Sequence, residues 1–277
     1  MSETKAMSGI ARDALNVDGL IVDLDGVVWR GDEAVAGSVT ALAELRARGI
    51  RLVFLTNDPT NSRAEYAARL RQLGVAATEA QIVTSGSALA TLIREHEGAG
   101  KTTFVIGSPA LKGELERVGL ELRATEAGRA AEVVAVGGHP GFNYDELRIA
   151  TQAVRDGARL YGAGRDATFP MPDGPWPATG AILAAVETAA GTRAIVAGKP
   201  EPHIFAIAHA LLGDCQQVAI VGDHLDSDIV GGHRAGLTTV LVLSGTSGHD
   251  DVASAGATPD LILPDLAALL DTAEFRR

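Results

Sequence analysis

Short apolar runs alternate with stretches of helical periodicity along most of the chain. The runs Gly19–Val22, Arg51–Leu55 and Gln217–Val221 are almost continuously hydrophobic, which is typical of strands buried on both faces. Ser38–Arg48 and Ser62–Leu73 carry apolar residues at helical spacing, and glycine follows each of them as a helix stop. This alternation predicts an α/β fold whose core is a doubly wound, Rossmann-like parallel sheet.

A long interval in the chain predicts a second domain. The segment between Thr56 and Lys199 is far longer than one or two crossovers between strands require. It has its own strand–helix alternation, with a helical pattern over Tyr144–Asp156 and a Pro- and Gly-rich stretch over Phe169–Pro177. The alternative is a single sheet that continues through this interval. We expect a discontinuous core domain of residues 1–84 and 182–277, and an inserted α/β cap domain of residues 85–181.

Acidic residues follow two of the predicted buried strands. Asp23 and Asp25 end the first run in the sequence Asp-Leu-Asp-Gly-Val, and residues i and i+2 of an extended segment point the same way. Asp223 and Asp228 follow the run Gln217–Val221. Ligands of open α/β sheets bind outside the carboxyl ends of the strands, so these carboxylates would meet if the strands are neighbours. Like charges so close are costly without a cation, and oxygen ligands suit Mg²⁺.

A hydroxyl, a turn rich in free amides and a lysine occupy similar places. Thr56 and Asn57 follow Arg51–Leu55 just before a predicted helix, and Lys199 follows the apolar run Ala194–Ala197. Amides near a helix start bind anions well, and a lysine adds positive charge. Structural roles are the alternatives: Thr56 could cap the helix, Asn57 could act through its backbone alone, and Lys199 could be a solvated surface residue.

These segments, in this order, resemble the motifs of the haloacid dehalogenase-like superfamily of aspartate-nucleophile phosphatases. Asp23–Val27 is similar to the first motif, Leu55–Asn57 to the second, Lys199 to the third and Gly222–Asp228 to the fourth. The stretch Val196–Pro202 is similar to the class IIA branch, which contains the NagD-like and 4-nitrophenyl phosphatases. The resemblance implies a large α/β cap inserted after the second motif.

The resemblance also implies a role for each residue. Asp23 would be the nucleophile that forms an aspartyl-phosphate, and Asp25 would protonate the leaving alcohol and later deprotonate water. Asp25 can carry that proton only if a neighbouring carboxylate and partial loss of solvent raise its pKa. The phosphoryl oxygens would be bound by Thr56, Asn57 and Lys199. The cation would be Mg²⁺, with Mn²⁺ as the alternative. It would be held by the carboxylates of Asp23, Asp223 and Asp228 and by the backbone carbonyl of Asp25.

Several residues near these motifs have two possible roles. Gly164 stands where class IIA sequences commonly have the asparagine of an Asn-x-Asp segment. Arg165 either meets an anionic substrate group or is a solvated loop residue, and Asp166 either selects the substrate or stabilises the loop. Trp29–Gly31 is expected to form a flap over the site, although Trp29 could simply pack there. Asp226 is interpreted as a solvated turn residue.

Composition narrows the class of partner. A net charge of −11 argues against nucleic-acid binding, and no apolar stretch approaches the roughly 20 residues that span a bilayer. Cys215 is the one cysteine, which excludes an internal disulfide and fits a reducing cytoplasm. The start of the chain lacks the apolar core of a signal peptide, and residues 1–18 are expected to form a flexible arm. We therefore predict a cytoplasmic protein without nucleic-acid or membrane partners, and the resemblance suggests a homodimer through the cap.

The predicted function is Mg²⁺-dependent hydrolysis of a small phosphorylated metabolite. A sugar or polyol phosphate is the expected substrate, and 4-nitrophenyl phosphate is the expected surrogate. One alternative is a phosphomutase, which shares the core residues, and another is a non-hydrolytic protein of the same fold that binds Mg²⁺ and phosphate. A signalling receiver domain gathers similar residues, but such modules are less than half this length and have no inserted cap.

Overall fold

The computed structural model describes residues 16–171, 173–253 and 256–272, which form two parallel sheets with helices on their faces. In chain order, the strands are β1 (Gly19–Asp23), β2 (Trp29–Arg30), β3 (Glu33–Ala34), β4 (Arg51–Thr56), β5 (Ile82–Thr84), β6 (Thr102–Gly107), β7 (Glu121–Arg123), β8 (Val133–Gly138), β9 (Arg159–Gly162), β10 (Thr168–Met171), β11 (Gly174–Pro177), β12 (Ile195–Val196), β13 (Val218–Gly222), β14 (Thr238–Val242) and β15 (Leu261–Leu263). The helices are α1 (Ser38–Ala47), α2 (Arg63–Gln72), α3 (Ser85–Glu97), α4 (Pro109–Arg117), α5 (Tyr144–Arg155), α6 (Thr179–Ala190), α7 (Pro202–Leu211), α8 (Val230–Arg234), α9 (His249–Val252) and α10 (Leu269–Thr272).

The larger sheet has six parallel strands in the order β15–β14–β13–β1–β4–β5. The order runs outward in both directions from the neighbouring strands β1 and β13, so the chain switches side between them. A crevice for ligands forms at such a switch point, outside the carboxyl ends of the strands. The prediction of a doubly wound parallel sheet is confirmed.

The smaller sheet has five parallel strands in the order β12–β9–β8–β6–β7. Helices α5 and α6 cover one face of it through a cluster that includes Ile149, Leu183 and Val186. Two antiparallel hairpins complete the strands: β2 with β3 directly after the first strand, and β10 with β11 just before α6.

A continuous apolar layer joins the two sheets. It contains Ile21 and Val53 from the larger sheet, Val133 from the smaller sheet, and residues of α3, α4 and α7 between them. The opposite face of the larger sheet is covered by α1, α2 and α10. Burial of this much aliphatic surface is the main stabilising contribution that holds the strand ends in place.

The start of α2 illustrates how local sequence sets these elements. The hydroxyl of Ser62 accepts a hydrogen bond from the Glu65 amide at 3.2 Å, and the Glu65 carboxylate accepts one from the Ser62 amide at 2.7 Å. This reciprocal pair satisfies amides that the first helical turn leaves unpaired. The helix therefore begins directly after Ser62, as the sequence predicts, and Tyr66 in its first turn donates a hydrogen bond to Asp58 in the loop after β4.

Two expectations about chain organisation differ from the structure. The smaller sheet extends past Ala181, because α6 packs on it and β12 pairs with β9. The apolar run before Lys199 is therefore a strand of the smaller sheet, whereas the sequence suggested a strand of the core. Within the expected arm, Val17 is buried and Asp18 accepts hydrogen bonds from the amides of residues 216 and 217, while residues 1–15 lie outside the described residues.

Across the three described ranges, no helix combines the length and the apolar character that crossing a membrane requires.

Candidate active site

Pairing of β1 with β13 brings the two acidic motifs together. Val22 lies opposite Val221, so Asp23 ends β1 at the carboxyl edge of the sheet and Asp223 directly follows β13 at the same edge. Asp23, Asp223 and Asp228 are all buried, and each offers a carboxylate oxygen within 4.8 Å of the others. Three buried carboxylates at this spacing are suited to a divalent cation with oxygen ligands.

Two glycines make room for these carboxylates. Gly26 has φ +80°, and a Cβ added there would lie 2.3 Å from Oδ2 of Asp223. A Cβ added at Gly222 would lie 2.3 Å from the Cβ of Asp228. Any larger residue at either position would displace an acidic side chain of the cluster.

The loop after β13 fixes the remaining acidic side chains. A π-helical turn over Leu225–Ile229 directs Asp228 inward, where its Oδ2 accepts a hydrogen bond from the His224 amide at 3.1 Å. Oδ2 of Asp223 accepts a bond from the Thr246 amide at 2.6 Å. Asp226 points outward and is exposed, in agreement with its interpretation as a turn residue.

Lys199 is the cation of the cluster in this structure. Its Nζ donates to Oδ1 of Asp23 at 2.6 Å and to Oδ1 of Asp228 at 2.7 Å, and the side chain is buried. Burial by itself lowers the pKa of Lys199, but the charges of Asp228 and Asp23 outweigh burial and raise the pKa above its ordinary value. Lys199 therefore stays protonated and supplies a fixed positive charge beside Asp23.

The cluster holds excess negative charge despite this lysine. Burial raises the pKa of Asp23 well above its ordinary value against the attraction of Lys199, and the charges of Asp228 and Asp223 raise it further. Burial and the charge of Asp228 likewise raise the pKa of Asp223. Ionised carboxylates therefore destabilise the metal-free protein, and a bound divalent cation would relieve that cost.

We expect Asp223→Asn to raise the melting temperature of the metal-free protein while weakening Mg²⁺ binding. The pKa of Asp223 is raised from 3.8 in the folded state, so its ionisation costs the folded protein more than the unfolded chain. The stabilisation caused by Asp223→Asn is complete above the raised pKa of Asp223, and it disappears as the pH falls below 3.8. Scanning calorimetry in chelator and in Mg²⁺ measures both effects.

The Mg²⁺ arm of this experiment has a defined size. A ligand at a hundred times its dissociation constant stabilises the folded state by about 2.7 kcal/mol, a gain we expect for the wild type and not for Asp223→Asn. The exposed Asp226→Asn in the same loop is the matched control and should behave as wild type. An Mg²⁺-induced shift equal in Asp223→Asn and wild type would contradict the assigned cation site.

Thr56 and Asn57 lie on the strand next to Asp23. Asp23 pairs in register with Leu55, so Thr56 extends one residue beyond it at the same edge, and Thr56 is buried. Its Oγ1 accepts a bond from the Asp58 amide at 3.1 Å. The Asn57 side chain is held by Lys199, whose amide donates to Oδ1 at 2.8 Å and whose carbonyl accepts from Nδ2 at 3.1 Å.

Asp25 lies at the open side of the cluster. Its side chain is exposed, and its Oδ1 accepts a hydrogen bond from Nε1 of Trp29 at 2.8 Å. Protein packed around the carboxyl group removes solvent and raises the pKa of Asp25, and the charge of Asp58 raises it further, while Trp29 and Arg69 oppose the increase. The pKa of Asp25 is therefore shifted in the expected direction, and the carboxylate that contributes to the shift is Asp58.

The two cap residues take different positions. Asp166 reaches the site, since its Oδ2 accepts a hydrogen bond from Nδ2 of Asn57 at 2.7 Å. Arg165 is instead paired with Glu187 at 2.9 Å and donates to the carbonyl of Ala194 at 3.2 Å. The structure therefore links Asp166 to the turn after β4, and it ties Arg165 to α6 and to the segment that follows this helix.

Two contributors were not found from the sequence. The amide of Thr246, in the loop after β14, fixes Asp223, and no residue pattern marks a backbone donor of this kind. Trp29 was expected in a flap, and its indole in fact joins Asp25 from a fully buried position. A signal for this contact exists, because a buried indole N–H needs an acceptor and Asp25 is close in the chain.

Known proteins resemble the chain over nearly its whole length. Residues 20–121 match the family model described as haloacid dehalogenase-like hydrolase, and residues 196–269 match one described as HAD-hydrolase-like. The glycerol-3-phosphate phosphatase of Gallus gallus is 35% identical over 94% of this chain and 93% of its own. The ribonucleotide monophosphatase NagD of Escherichia coli is 33% identical over 92% and 99%.

A solved structure extends the likeness to three dimensions. The glycerol phosphate phosphatase Rv1692 of Mycobacterium tuberculosis, in complex with magnesium, superposes with a TM-score of 0.85 and 35% identity, covering 91% of this chain and 76% of that one. The architecture and the acidic cluster define a hydrolase of the haloacid dehalogenase type. The chain belongs to the haloacid dehalogenase-like hydrolase family. The predictions of its NagD-like branch and of a phosphoric monoester hydrolase are confirmed.

Proposed function

We propose that the chain is a Mg²⁺-dependent phosphomonoesterase that hydrolyses a small polyol or sugar phosphate through a phosphorylated Asp23. The observation that carries the proposal is the position of Asp23. It ends a buried strand inside a carboxylate cluster, and its Oδ1 lies 2.6 Å from a protonated lysine. The positive charge of this lysine favours the approach of a phosphoryl group, whose negative charge would otherwise repel the carboxylate.

Three side chains and one backbone carbonyl would coordinate the cation. Asp23, Asp223 and Asp228 are close enough to share it, and the carbonyl of Asp25 is a further candidate. Bound Mg²⁺ would neutralise phosphoryl charge and stabilise the charge that develops as the ester bond breaks. A relative solved with magnesium supports this metal, and Mn²⁺ stays the alternative.

The chain's own residues divide the chemistry between them. A carboxylate oxygen of Asp23 bonds to phosphorus while the bond from phosphorus to the ester oxygen breaks. That oxygen keeps the electron pair and takes a proton from Asp25, whose raised pKa suits a proton donor. Water then attacks phosphorus, Asp25 accepts a proton from it, and the bond to Asp23 breaks to release inorganic phosphate.

Phosphoryl binding would fall to Lys199 and to the end of β4. Lys199 already lies on Asp23 and would carry positive charge to the phosphoryl oxygens. The Thr56 hydroxyl and the amides near Asn57 lie at the same sheet edge and would bind the remaining oxygens. The Asn57 side chain is occupied by Lys199 and Asp166, which favours a backbone contribution from this residue.

The substrate class is a proposal that rests on the names of relatives and on the cap. Two similar proteins are named for glycerol phosphate and one for ribonucleotide monophosphates, so the branch serves more than one alcohol. Asp166, bonded to Asn57, is the cap residue placed to influence that choice. We also propose that the smaller sheet and its helices form the cap, while a homodimer through it and a cytoplasmic location stay predictions.

Phosphate release from a panel of esters tests the function. The panel should contain glycerol 3-phosphate, several sugar phosphates, a ribonucleotide monophosphate and 4-nitrophenyl phosphate, each with Mg²⁺ and with chelator. We expect Mg²⁺-dependent release from 4-nitrophenyl phosphate and a preference among the natural esters for polyol or sugar phosphates. Isomerised sugar phosphate without free phosphate would indicate a phosphomutase. Binding of Mg²⁺ without turnover of any ester would indicate a non-hydrolytic protein.

A further inference from the structure

Trp29 is a fully buried residue whose one polar side-chain atom is directed at Asp25. Its Nε1 donates to Oδ1 of Asp25 at 2.8 Å, and the residue has no exposed surface. This hydrogen bond restricts the orientation of both partners, and it is stronger while the carboxyl group is ionised. The proposed proton donor is therefore joined to an indole that cannot move into solvent.

Helix α2 and the turn after β1 fix the indole. The Tyr66 ring stacks on it with centroids 6.2 Å apart and an angle of 5° between the planes, and the guanidinium carbon of Arg69 lies 4.2 Å from its ring centroid. In the turn, the Trp29 amide donates to the carbonyl of Leu24 at 3.2 Å, and the Gly26 amide donates to the carbonyl of Trp29 at 2.7 Å. Backbone and ring are thus both restrained.

Asp25 depends on this one contact for its orientation. Within the part of the chain that the structure describes, Trp29 is the one residue that donates a hydrogen bond to its carboxyl group, and Oδ2 receives none. Asp23 and Asp228, in contrast, are both held by Lys199. Without the indole N–H, the exposed carboxyl group of Asp25 would be free to rotate about its own side-chain bonds.

On the basis of the proposed function, we propose that Trp29 is a positioning residue for proton transfer. Its N–H holds Oδ1 of Asp25 and leaves Oδ2 to carry the proton. That proton passes from Oδ2 to the ester oxygen as the bond from phosphorus to this oxygen breaks. In the second step Oδ2 accepts a proton from the attacking water. Trp29 touches neither the phosphoryl group nor the alcohol and acts through Asp25 alone.

Esters that differ in their need for a proton test this role. The 4-nitrophenolate ion leaves without protonation, whereas the alkoxide of glycerol 3-phosphate does not. Trp29→Phe keeps an aromatic ring against Tyr66 and removes the N–H. We expect kcat/KM for glycerol 3-phosphate to fall by about ten-fold or more, and kcat/KM for 4-nitrophenyl phosphate to change by less than about two-fold.

Three further variants separate the hydrogen bond from packing. Trp176→Phe makes the same chemical change at an exposed tryptophan whose indole donates to Asp173, and it should leave the ratio of the two kcat/KM values unchanged. If Trp29→Phe does not fold, β-(3-benzothienyl)alanine at position 29 replaces the N–H by sulfur in a ring of nearly the same shape. In an Asp25→Asn background, Trp29→Phe should cause no further loss toward glycerol 3-phosphate.

The indole proton gives a readout that is independent of turnover. The chain has two tryptophans, so Trp176→Phe assigns both indole N–H signals in a ¹⁵N spectrum. We expect slow solvent exchange for the Trp29 signal and a change in its position in Asp25→Ala. Equal losses with both esters in Trp29→Phe, or an indole signal unmoved by Asp25→Ala, would overturn the positioning role. A wild-type protein that hydrolyses neither ester would instead overturn the proposed function on which it rests.

Discussion

Asp23→Asn is expected to abolish phosphate release from every ester, with a residual rate at least about 10⁴-fold below that of the wild type. The amide has nearly the shape of the carboxyl group and can still accept a hydrogen bond from Lys199, so the site should keep its packing. It lacks the anionic oxygen that would bond to phosphorus. The loss should therefore appear in kcat with the aryl ester and with alkyl esters alike.

The controls for this variant distinguish chemistry from metal binding. Asp23 is also one of the three carboxylates that would share the cation, so rates are measured at saturating Mg²⁺, with binding followed by calorimetry. Asp226→Asn makes the same chemical change at an exposed position near the cluster and should retain full activity. Residual turnover within about ten-fold of wild type at saturating Mg²⁺ would be incompatible with Asp23 as the nucleophile.

Asp25→Asn is expected to separate the two halves of the reaction. Loss of the proton donor should lower kcat/KM for glycerol 3-phosphate by about 10²–10⁴-fold, the usual range for general acid–base catalysis. With 4-nitrophenyl phosphate the first step needs no donor, and the second step still needs Asp25 to activate water. We therefore expect a rapid burst of nitrophenolate, close to one equivalent per active site, followed by slow turnover in stopped-flow measurements.

A burst is informative only if the variant keeps its structure and cation. The Asp25 side chain is exposed and lies outside the group of carboxylates that share a cation position, so Mg²⁺-induced stabilisation should equal that of the wild type. Slow linear release without a burst would place Asp25 in the first step for the aryl ester as well. Unchanged kcat/KM with glycerol 3-phosphate would remove Asp25 from proton transfer altogether.

The acidic cluster could be predicted from the sequence because its residues follow buried strands. Asp23 and Asp223 are predictable partners, because parallel strands place their carboxyl ends at one edge of a sheet. The pairing of β1 with β13 then brings the two residues together. Helix α2 could also be predicted, because apolar residues over Ser62–Leu73 recur at helical spacing and Gly74 follows them. At these positions, the structure suggested by the local sequence pattern is the one that the fold adopts.

The parts that sequence reasoning missed depend on contacts between distant or backbone groups. The apolar run before Lys199 has the pattern of a core strand, yet Ile195 and Val196 pair with β9 in the smaller sheet, which the run itself cannot indicate. The bond between Asn57 and Asp166 joins residues far apart in the chain. The role of Trp29 was ambiguous, because the sequence does not distinguish a tryptophan that covers a site from one that packs in the core.

Locating the phosphoryl group in the Asp25→Asn variant tests the central claim most directly. The variant is mixed with 4-nitrophenyl phosphate and Mg²⁺, quenched during the burst and reduced with borohydride, which converts an aspartyl-phosphate to homoserine. Peptide mass spectrometry then locates the modified residue. The proposed mechanism predicts homoserine at position 23 and at no other aspartate. Hydrolysis in the wild type with no trapped residue in the variant, despite normal Mg²⁺ binding, would contradict a phosphorylated Asp23 and indicate direct attack by water.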